Sequence, residues 1–273
     1  MNLPESFAFS QHSLQDFQDC PRRFLLRHVR QLAWPAVQAQ PVQEHERRMA
    51  IGARFHRMVH QHLLGIPEAR LTAMATDPDL ALWWDHYLTA RPADRPGERF
   101  PEVTLATTLA GHTLTAKLDL LVVGPHEVTI LDWKTHDRLP KPSWLADRLQ
   151  TRVYRLLVHR AGARFHGETP LEPSRITFQY WYAAFPDSDF RFPYAQSLAR
   201  EDEELLTGMI EAIAARPEDA FEPTDDDRHC RFCPYRSYCD RGVAAGPLAD
   251  APDQDADLDP EDWSLDQIAE IEF

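Results

Sequence analysis

From residue 102 to residue 135 the apolar positions alternate with polar ones, or run continuously with a period of two. Before and after that stretch they recur every three to four residues. Residues 118–123 and 128–135 are runs of Leu, Val, Ile and Thr separated by Gly124, Pro125, His126 and Glu127. This predicts two strands joined by a tight hairpin. A turn centred between Pro125 and His126 pairs residues whose numbers sum to 251, so Asp119 faces Asp132. Side chains directly opposite in an antiparallel pair have Cβ atoms ~5 Å apart. Two carboxylates at that distance repel by roughly 3 kcal/mol at an effective dielectric of about 20. A divalent cation, a shared proton or a nearby ammonium should compensate. Lys134 lies two residues past Asp132 and so points to the same face. Leu118, Leu120 and Val122 alternate with Leu121 and Val123, and Thr129, Leu131 and Trp133 with Val128 and Ile130. Both faces are apolar, which predicts a sheet covered on both sides. A buried Asp–Lys pair that only holds the sheet is the competing reading.

The flanking pattern is helical. Ser13 with Asp16 reads as a helix start, with Leu14, Phe17, Phe24 and Leu25 as its buried stripe and Cys20-Pro21 as an interruption. Residues 42–64 and 80–88 read as two further helices, and 92–101 as a loop. Residues 102–109 and 112–123 read as strands. After Pro140 and Pro142, residues 144–159 read as a helix with Leu145, Leu149, Val153, Leu156 and Leu157 inward. Residues 175–183 form a strand, 190–194 its partner and 201–215 a final helix. These elements predict an α/β fold, with residues 1–246 as one domain and 247–273 as a flexible acidic tail.

Composition narrows the function classes. The 273 residues are 43% hydrophobic, enough for a sizeable core, and no apolar run approaches a membrane span. The expectation is a soluble cytoplasmic protein whose four cysteines serve a metal or cluster before disulfides. The formal charge of −14 argues against nucleic-acid binding at first sight. Ten of the acids, and no Lys or Arg, lie in 247–273, which leaves the rest of the chain at −4 and a local basic groove open. Only three of the 29 basic residues are lysines: Lys117, Lys134 and Lys141.

Several constellations carry chemistry. His56 and His60 lie one helical turn apart, as do Gln150 and Tyr154. The first pair is not a zinc-protease motif, because Arg57 stands where that motif needs Glu. Cys230, Cys233 and Cys239 fall within ten residues, and Cys20 would supply a fourth thiolate from the other end of the chain. Four thiolates suit zinc or an iron–sulfur cluster. Such a site would close a very long loop.

Together these residues resemble the PD-(D/E)XK nucleases of the RecB nuclease-domain type. They are most similar to the iron–sulfur branch that includes the AddB nuclease domain and the four-cysteine CRISPR adaptation nucleases. The likeness spans residues 13–240. It rests on Gly52-x3-His56, Asp119, Asp132-Trp133-Lys134, Gln150-x3-Tyr154, Cys20-Pro21 and the C-terminal cysteine triplet. Ala116 stands where a Gly often precedes the first aspartate, and Leu118 replaces the Pro of the family name.

The resemblance implies a restriction-endonuclease-like mixed sheet flanked by helices, with an N-terminal helical segment and a four-cysteine staple. It implies Mg²⁺ or Mn²⁺ held by His56, Asp119, Asp132 and the Trp133 carbonyl. Lys134 would orient water or stabilise charge on the phosphate, with Gln150 and Tyr154 supporting it and the DNA strand. It also implies a cluster, 4Fe-4S before zinc, on Cys20, Cys230, Cys233 and Cys239. The expected activity is DNA phosphodiester hydrolysis, as an exonuclease in repair, recombination or CRISPR adaptation. The alternative is a non-cleaving nucleic-acid or protein-binding module that keeps the fold. No Gly-x4-Gly-Lys-Ser/Thr loop is present, so a helicase motor would be a separate chain. The tail, with Trp263, Leu265, Ile268, Ile271 and Phe273, could dock such a partner. It could also mimic DNA, or simply solubilise the chain.

Overall fold

A computed structural model describes residues 3–4, 6–32 and 42–242, with residues 42–46 described by backbone only. The acidic tail read at 247–273 lies outside the described residues. Among the described residues a six-stranded mixed sheet carries helices on both faces. Among the described residues no helix is long and apolar enough to cross a membrane.

The chain begins with β1 (Ala8–Phe9), α1 (Gln11–Asp19) and α2 (Pro21–Phe24), the last continuing into a wider π turn over Leu25–Val29. Three helices follow: α3 (Val42–Leu63), α4 (Glu68–Met74) and α5 (Pro78–Ala90). Then come β2 (Glu98–Leu109), β3 (His112–Val123), β4 (Val128–Lys134), α6 (Pro142–Asp147) and α7 (Leu149–Ala161). The described part ends with β5 (Ile176–Tyr182), β6 (Phe190–Pro193), α8 (Gln196–Ala215) and the short cysteine-bearing turns.

β3 is the axis of the sheet. β2 pairs with it antiparallel along its whole length, closed by Ala110 and Gly111, both at positive φ (50° and 76°). That is the backbone a two-residue hairpin turn requires. β4 pairs with β3 antiparallel in the register Leu120↔Leu131 to Val123↔Val128, the register the sequence predicts. β1 pairs parallel with Thr113 and Leu114. Because β2 occupies one edge of β3 throughout, β1 and β4 share the other edge, and neither pairs with residues 115–119. Asp119 lies in that gap. β5 runs parallel to β4 after the α6–α7 crossover, and β6 closes the edge antiparallel.

Two cores cover the two faces. Leu14, Phe24, Leu149, Val153, Leu157, Leu206 and Ile210 from α1, α2, α7 and α8 pack on one. Phe55, Met58 and Val59 of α3 and Trp84 and Tyr87 of α5 pack on the other, against Leu131, Trp133 and Trp181. Every residue of β4 is buried, in accord with its continuous apolar run.

Strict alternation on β3 does not hold. Leu114, Ala116, Leu118 and Leu121 belong to the first core, whereas Leu120 and Val122 belong to the second. The sequence alternation predicts Leu118, Leu120 and Val122 on one face. The alternation instead changes phase at Asp119. On β2 the phase changes at the facing position: Phe100, Val103 and Leu105 all pack on the first core, and Glu102 between them is left-handed, at φ 54°.

Four further expectations change. Helix α1 starts at Gln11, not at Ser13, because the Ser10 side chain caps it and Ser13 answers with the reciprocal bond. Strand β2 starts at Glu98, inside the stretch read as a loop. The helix read over 144–159 is two helices, broken where Arg148 is extended (φ −60°, ψ 142°). The last long helix begins at Gln196, ahead of the expected residue 201.

Candidate active site

The C-terminal end of β4 carries Asp132 and Lys134, and α7 lies across it. Lys134 Nζ is 2.6 Å from Asp132 Oδ2, and each side chain is only 1% exposed. The compensating group beside Asp132 is therefore an ammonium. The Gln150 amide bridges the pair: Lys134 Nζ donates to Oε1 at 3.1 Å, and Nε2 donates to Asp132 Oδ1 at 2.8 Å. Lysine can only donate and an ionised aspartate can only accept, so these neighbours fix the orientation of the amide. Tyr180 Oη also donates to Gln150 Oε1 (3.3 Å), and Gln150 Nε2 reaches Tyr154 Oη at 3.4 Å. Gln11 of α1 donates to the same Tyr154 oxygen at 3.1 Å. The Tyr180 ring also lies 5.3 Å from the Lys134 ammonium.

Asp119 stands beside this network. The ladder between β3 and β4 stops at Leu120↔Leu131, and the next backbone donor, Trp133 N–H, is taken by Asp119 Oδ2 at 2.7 Å. Asp119 Oδ1 is 3.2 Å from His56 Nδ1 of α3. Thus Asp119 links α3 to the backbone of the same short strand that carries Asp132 and Lys134. The Trp133 side chain points to the opposite face and packs against Trp181 and Tyr87. His60, one turn beyond His56, does not join; burial and then the Lys117 charge hold its imidazole below the usual range.

One acid here escaped the sequence reading. The β2–β3 register pairs Pro101 with Leu120 and Val103 with Leu118, so Glu102 faces Asp119. Glu102 forms an ion pair with Lys117. Burial, and then the charge of Asp119, raise its carboxyl above the ordinary range. Glu102, Asp119 and Asp132 thus lie on three adjacent strands, Asp119 and Asp132 each one residue past the last β3–β4 pair. The left-handed backbone at Glu102 is a costly conformation for a non-glycine residue, of the kind that clusters at functional sites. Two of the three lysines of the chain, Lys117 and Lys134, neutralise this acidic row.

Among the described residues no three His, Cys, Asp or Glu side chains converge closely enough to hold a metal ion as they stand. The donor chemistry nevertheless fits a hard divalent cation: carboxylates, one imidazole and a backbone carbonyl.

The cysteines lie at the far end of α1. All four are free thiols: Cys20 and Cys233 are buried, and Cys230 and Cys239 are partly so. The expected four-cysteine site is not formed as they stand: among the described residues no three of them converge closely enough to hold a metal ion. Burial raises the Cys230, Cys233 and Cys239 thiols, Cys233 to about 11, and Cys20 adds to the rise at each of the three. The two chain segments also meet through Tyr235 Oη, which donates to the Leu32 carbonyl at 2.9 Å, and Arg22 N, which donates to the Glu222 carbonyl at 3.2 Å. Next to them is buried Asp16, held by Arg23 (2.6 Å), His28 (2.9 Å) and Arg27 (3.0 Å). Burial alone would raise the Asp16 carboxyl. The His28 hydrogen bond and the Arg23 and Arg27 charges outweigh it and hold the carboxyl well below the ordinary carboxylate range.

A search of curated proteins found no match. Among solved structures, a Eubacterium rectale protein provisionally described as an exonuclease superposes with a TM-score of 0.51 at 11% identity, covering 91% of this chain and 96% of its own. This likeness concerns the fold. The protein SSO0001 is more distant, with a TM-score of 0.37 at 10% identity over 87% of this chain and 88% of its own. The family model of the PD-(D/E)XK nuclease superfamily matches residues 8–240, nearly all of the described chain. The chain belongs to the PD-(D/E)XK nuclease superfamily.

Proposed function

We propose that this protein is a metal-dependent deoxyribonuclease that hydrolyses phosphodiester bonds, acting as an exonuclease. The observation that carries the reading is the continuous network His56–Asp119–Trp133 N–H and Asp132–Lys134–Gln150, built where the β3–β4 ladder ends. His56, Asp119, Asp132 and the Trp133 carbonyl would hold Mg²⁺ or Mn²⁺, and Glu102 adds a further oxygen donor from the adjacent strand β2. When bound, such an ion supplies an activated water and offsets charge on the phosphate.

The side chains of the chain itself do the rest. Asp119 is oriented by His56 and the Trp133 amide, so its carboxylate is held rather than free to rotate. Lys134 presents a positive charge beside Asp132, where it can donate to a water or to a phosphate oxygen. Gln150 keeps the ammonium and the carboxylate in register, and Tyr154 and Tyr180 hold the amide. Burial makes each of these contacts stronger than it would be in water.

We further propose that Cys20, Cys230, Cys233 and Cys239 hold an iron–sulfur cluster, 4Fe-4S before zinc. In its favour is the meeting of the two chain segments that carry them, through the Tyr235–Leu32 and Arg22–Glu222 hydrogen bonds. Cluster thiolates also stand farther apart than the ligands of a single ion, because iron and sulfide fill the space between them. The setting would be DNA repair, recombination or CRISPR adaptation. The partner proposed for the acidic tail is a helicase or another repair or adaptation protein.

The test is an anaerobic assay on end-labelled single- and double-stranded DNA with Mn²⁺ or Mg²⁺. Shortening of the labelled strand by wild type and its loss in Lys134→Ala support the reading. Binding without cleavage by wild type would leave the non-cleaving module in its place.

A further inference from the structure

Between the catalytic strand and α7 the chain crosses the surface, and residues 137–144 are exposed or nearly so. This crossover contains an aromatic ring that the network above does not use. Trp144 of α6 is 48% exposed, although tryptophan is among the most costly side chains to leave in water. One turn later the Arg148 guanidinium carbon lies 4.9 Å from the centre of the Trp144 ring. The same carbon is 6.0 Å from the Tyr180 ring, which itself faces the Lys134 ammonium at 5.3 Å. An unbroken series therefore runs from the surface to the reacting lysine: Trp144, Arg148, Tyr180, Lys134.

The position of this series is fixed. Thr151 Oγ bonds the Leu145 carbonyl of α6 and the Tyr180 hydroxyl, both at 2.7 Å. Leu145 itself is fully buried. Upstream, Asp137 is tied to Arg48 of α3 at 3.0 Å. The break at Arg148 separates α6 from α7 and lets Arg148 lie between the two rings. Exposed Arg138 and Lys141 flank the tryptophan in a chain whose formal charge is −14. Residues 137–148 carry Arg138, Lys141 and Arg148 against Asp137 and Asp147, and Asp137 and Asp147 are each paired with an arginine outside this stretch, Arg48 and Arg152. A flat ring backed by a guanidinium is the chemistry that stacks an unpaired base, while neighbouring cations follow the backbone. A base inside a duplex is already stacked and cannot use it.

We propose that Trp144, backed by Arg148, is a stacking platform for one unpaired base of a single DNA strand entering the active site, with Arg138 and Lys141 on the adjacent phosphates. This inference rests on the nuclease reading and narrows its substrate to single-stranded DNA or frayed ends.

The test uses the full-length protein without divalent metal, so that binding is read apart from cleavage. Anisotropy of a labelled single strand and of the matching duplex would be compared for wild type, Trp144→Ala and Trp144→Phe. Losing one base stack weakens binding by about 5- to 150-fold. Trp144→Ala should weaken single-strand binding by that factor and duplex binding by less than about twofold, and Trp144→Phe should restore most of the loss. Strands carrying one abasic site at successive positions should show a single sensitive position in wild type and none in Trp144→Ala. Single-strand binding unchanged in Trp144→Ala, equal losses on both substrates, or a flat abasic scan would overturn the platform. The two readings separate: a protein that binds in this Trp144-dependent way but never cuts loses the nuclease reading alone. A protein that cuts while Trp144→Ala binds like wild type loses the platform alone.

Discussion

Replacing Lys134 by Met should separate what the buried ion pair does for folding from what it does for function. Methionine keeps much of the length and packing of the lysine stem and removes the charge together with its hydrogen bond to Gln150. Asp132 is 1% exposed, and in the variant its carboxylate would keep the Gln150 hydrogen bond but lose the ammonium at 2.6 Å. Stranding one partner of a buried pair costs about 3–5 kcal/mol. With a urea m-value of about 3 kcal/mol/M, the unfolding midpoint should fall by about 1–2 M in metal-free buffer. Asp132→Asn should cost a similar amount, since it strands the ammonium instead. The double variant leaves neither charge, so its loss should fall short of the sum of the two by about 2 kcal/mol or more. Added Mn²⁺ should then recover more stability in Lys134→Met than in wild type, because the cation replaces the lost charge beside Asp132. At a hundredfold excess over its Kd that recovery is about 2.7 kcal/mol. A Lys134→Met loss below about 1 kcal/mol, or losses that add within about 0.5 kcal/mol, would refute the view that these two charges compensate each other.

Other outcomes follow from the same geometry. Glu102→Gln removes a charge from the three-strand acid row and should lower cleavage by about 10- to 100-fold, the usual cost of disturbing a group next to a metal ligand; initial rates at saturating Mn²⁺ would show it. Asp16→Asn leaves Arg23 and Arg27 facing a neutral amide and should cost about 3–5 kcal/mol in urea unfolding at neutral pH. The Asp16 carboxyl sits below its unfolded value when folded, so its stabilisation is fully present above the ordinary carboxylate range and is lost as pH falls from that range through the lower folded value. The gap between wild type and Asp16→Asn should therefore close in acid. Serine at any one of Cys20, Cys230, Cys233 or Cys239 should abolish the visible absorption and most of the bound iron of anaerobically purified protein. A colourless wild type carrying zinc would assign the staple to zinc instead.

The β3–β4 register was legible because a short loop between two β-branched runs leaves few ways to pair them. The predicted sum of 251 recurs in Leu120↔Leu131. The same counting on the preceding hairpin, about Ala110 and Gly111, would have placed Glu102 opposite Asp119. The sequence pattern puts Glu102 only at the first position of its strand, where pairing frays, whereas the strand begins four residues earlier, at Glu98. The phase change at Asp119 left no mark in a run of leucines and valines that suits either face. Nor did the break at Arg148: leucines at 145, 149, 156 and 157 read as one helix, and what bends the chain there is tertiary, with Arg148 drawn over the Trp144 and Tyr180 rings. Tyr180 looked like one more core aromatic of an alternating strand, and only the fold shows that it bonds Gln150 and faces Lys134.

The most direct measurement of the central claim is the fate of end-labelled DNA under anaerobic conditions with Mn²⁺, for wild type and Lys134→Ala in parallel. Wild type should shorten the label progressively and the variant should show no cleavage above background, with DNA binding kept by both. Equal cleavage by the two proteins, or binding without cleavage by wild type, would contradict it.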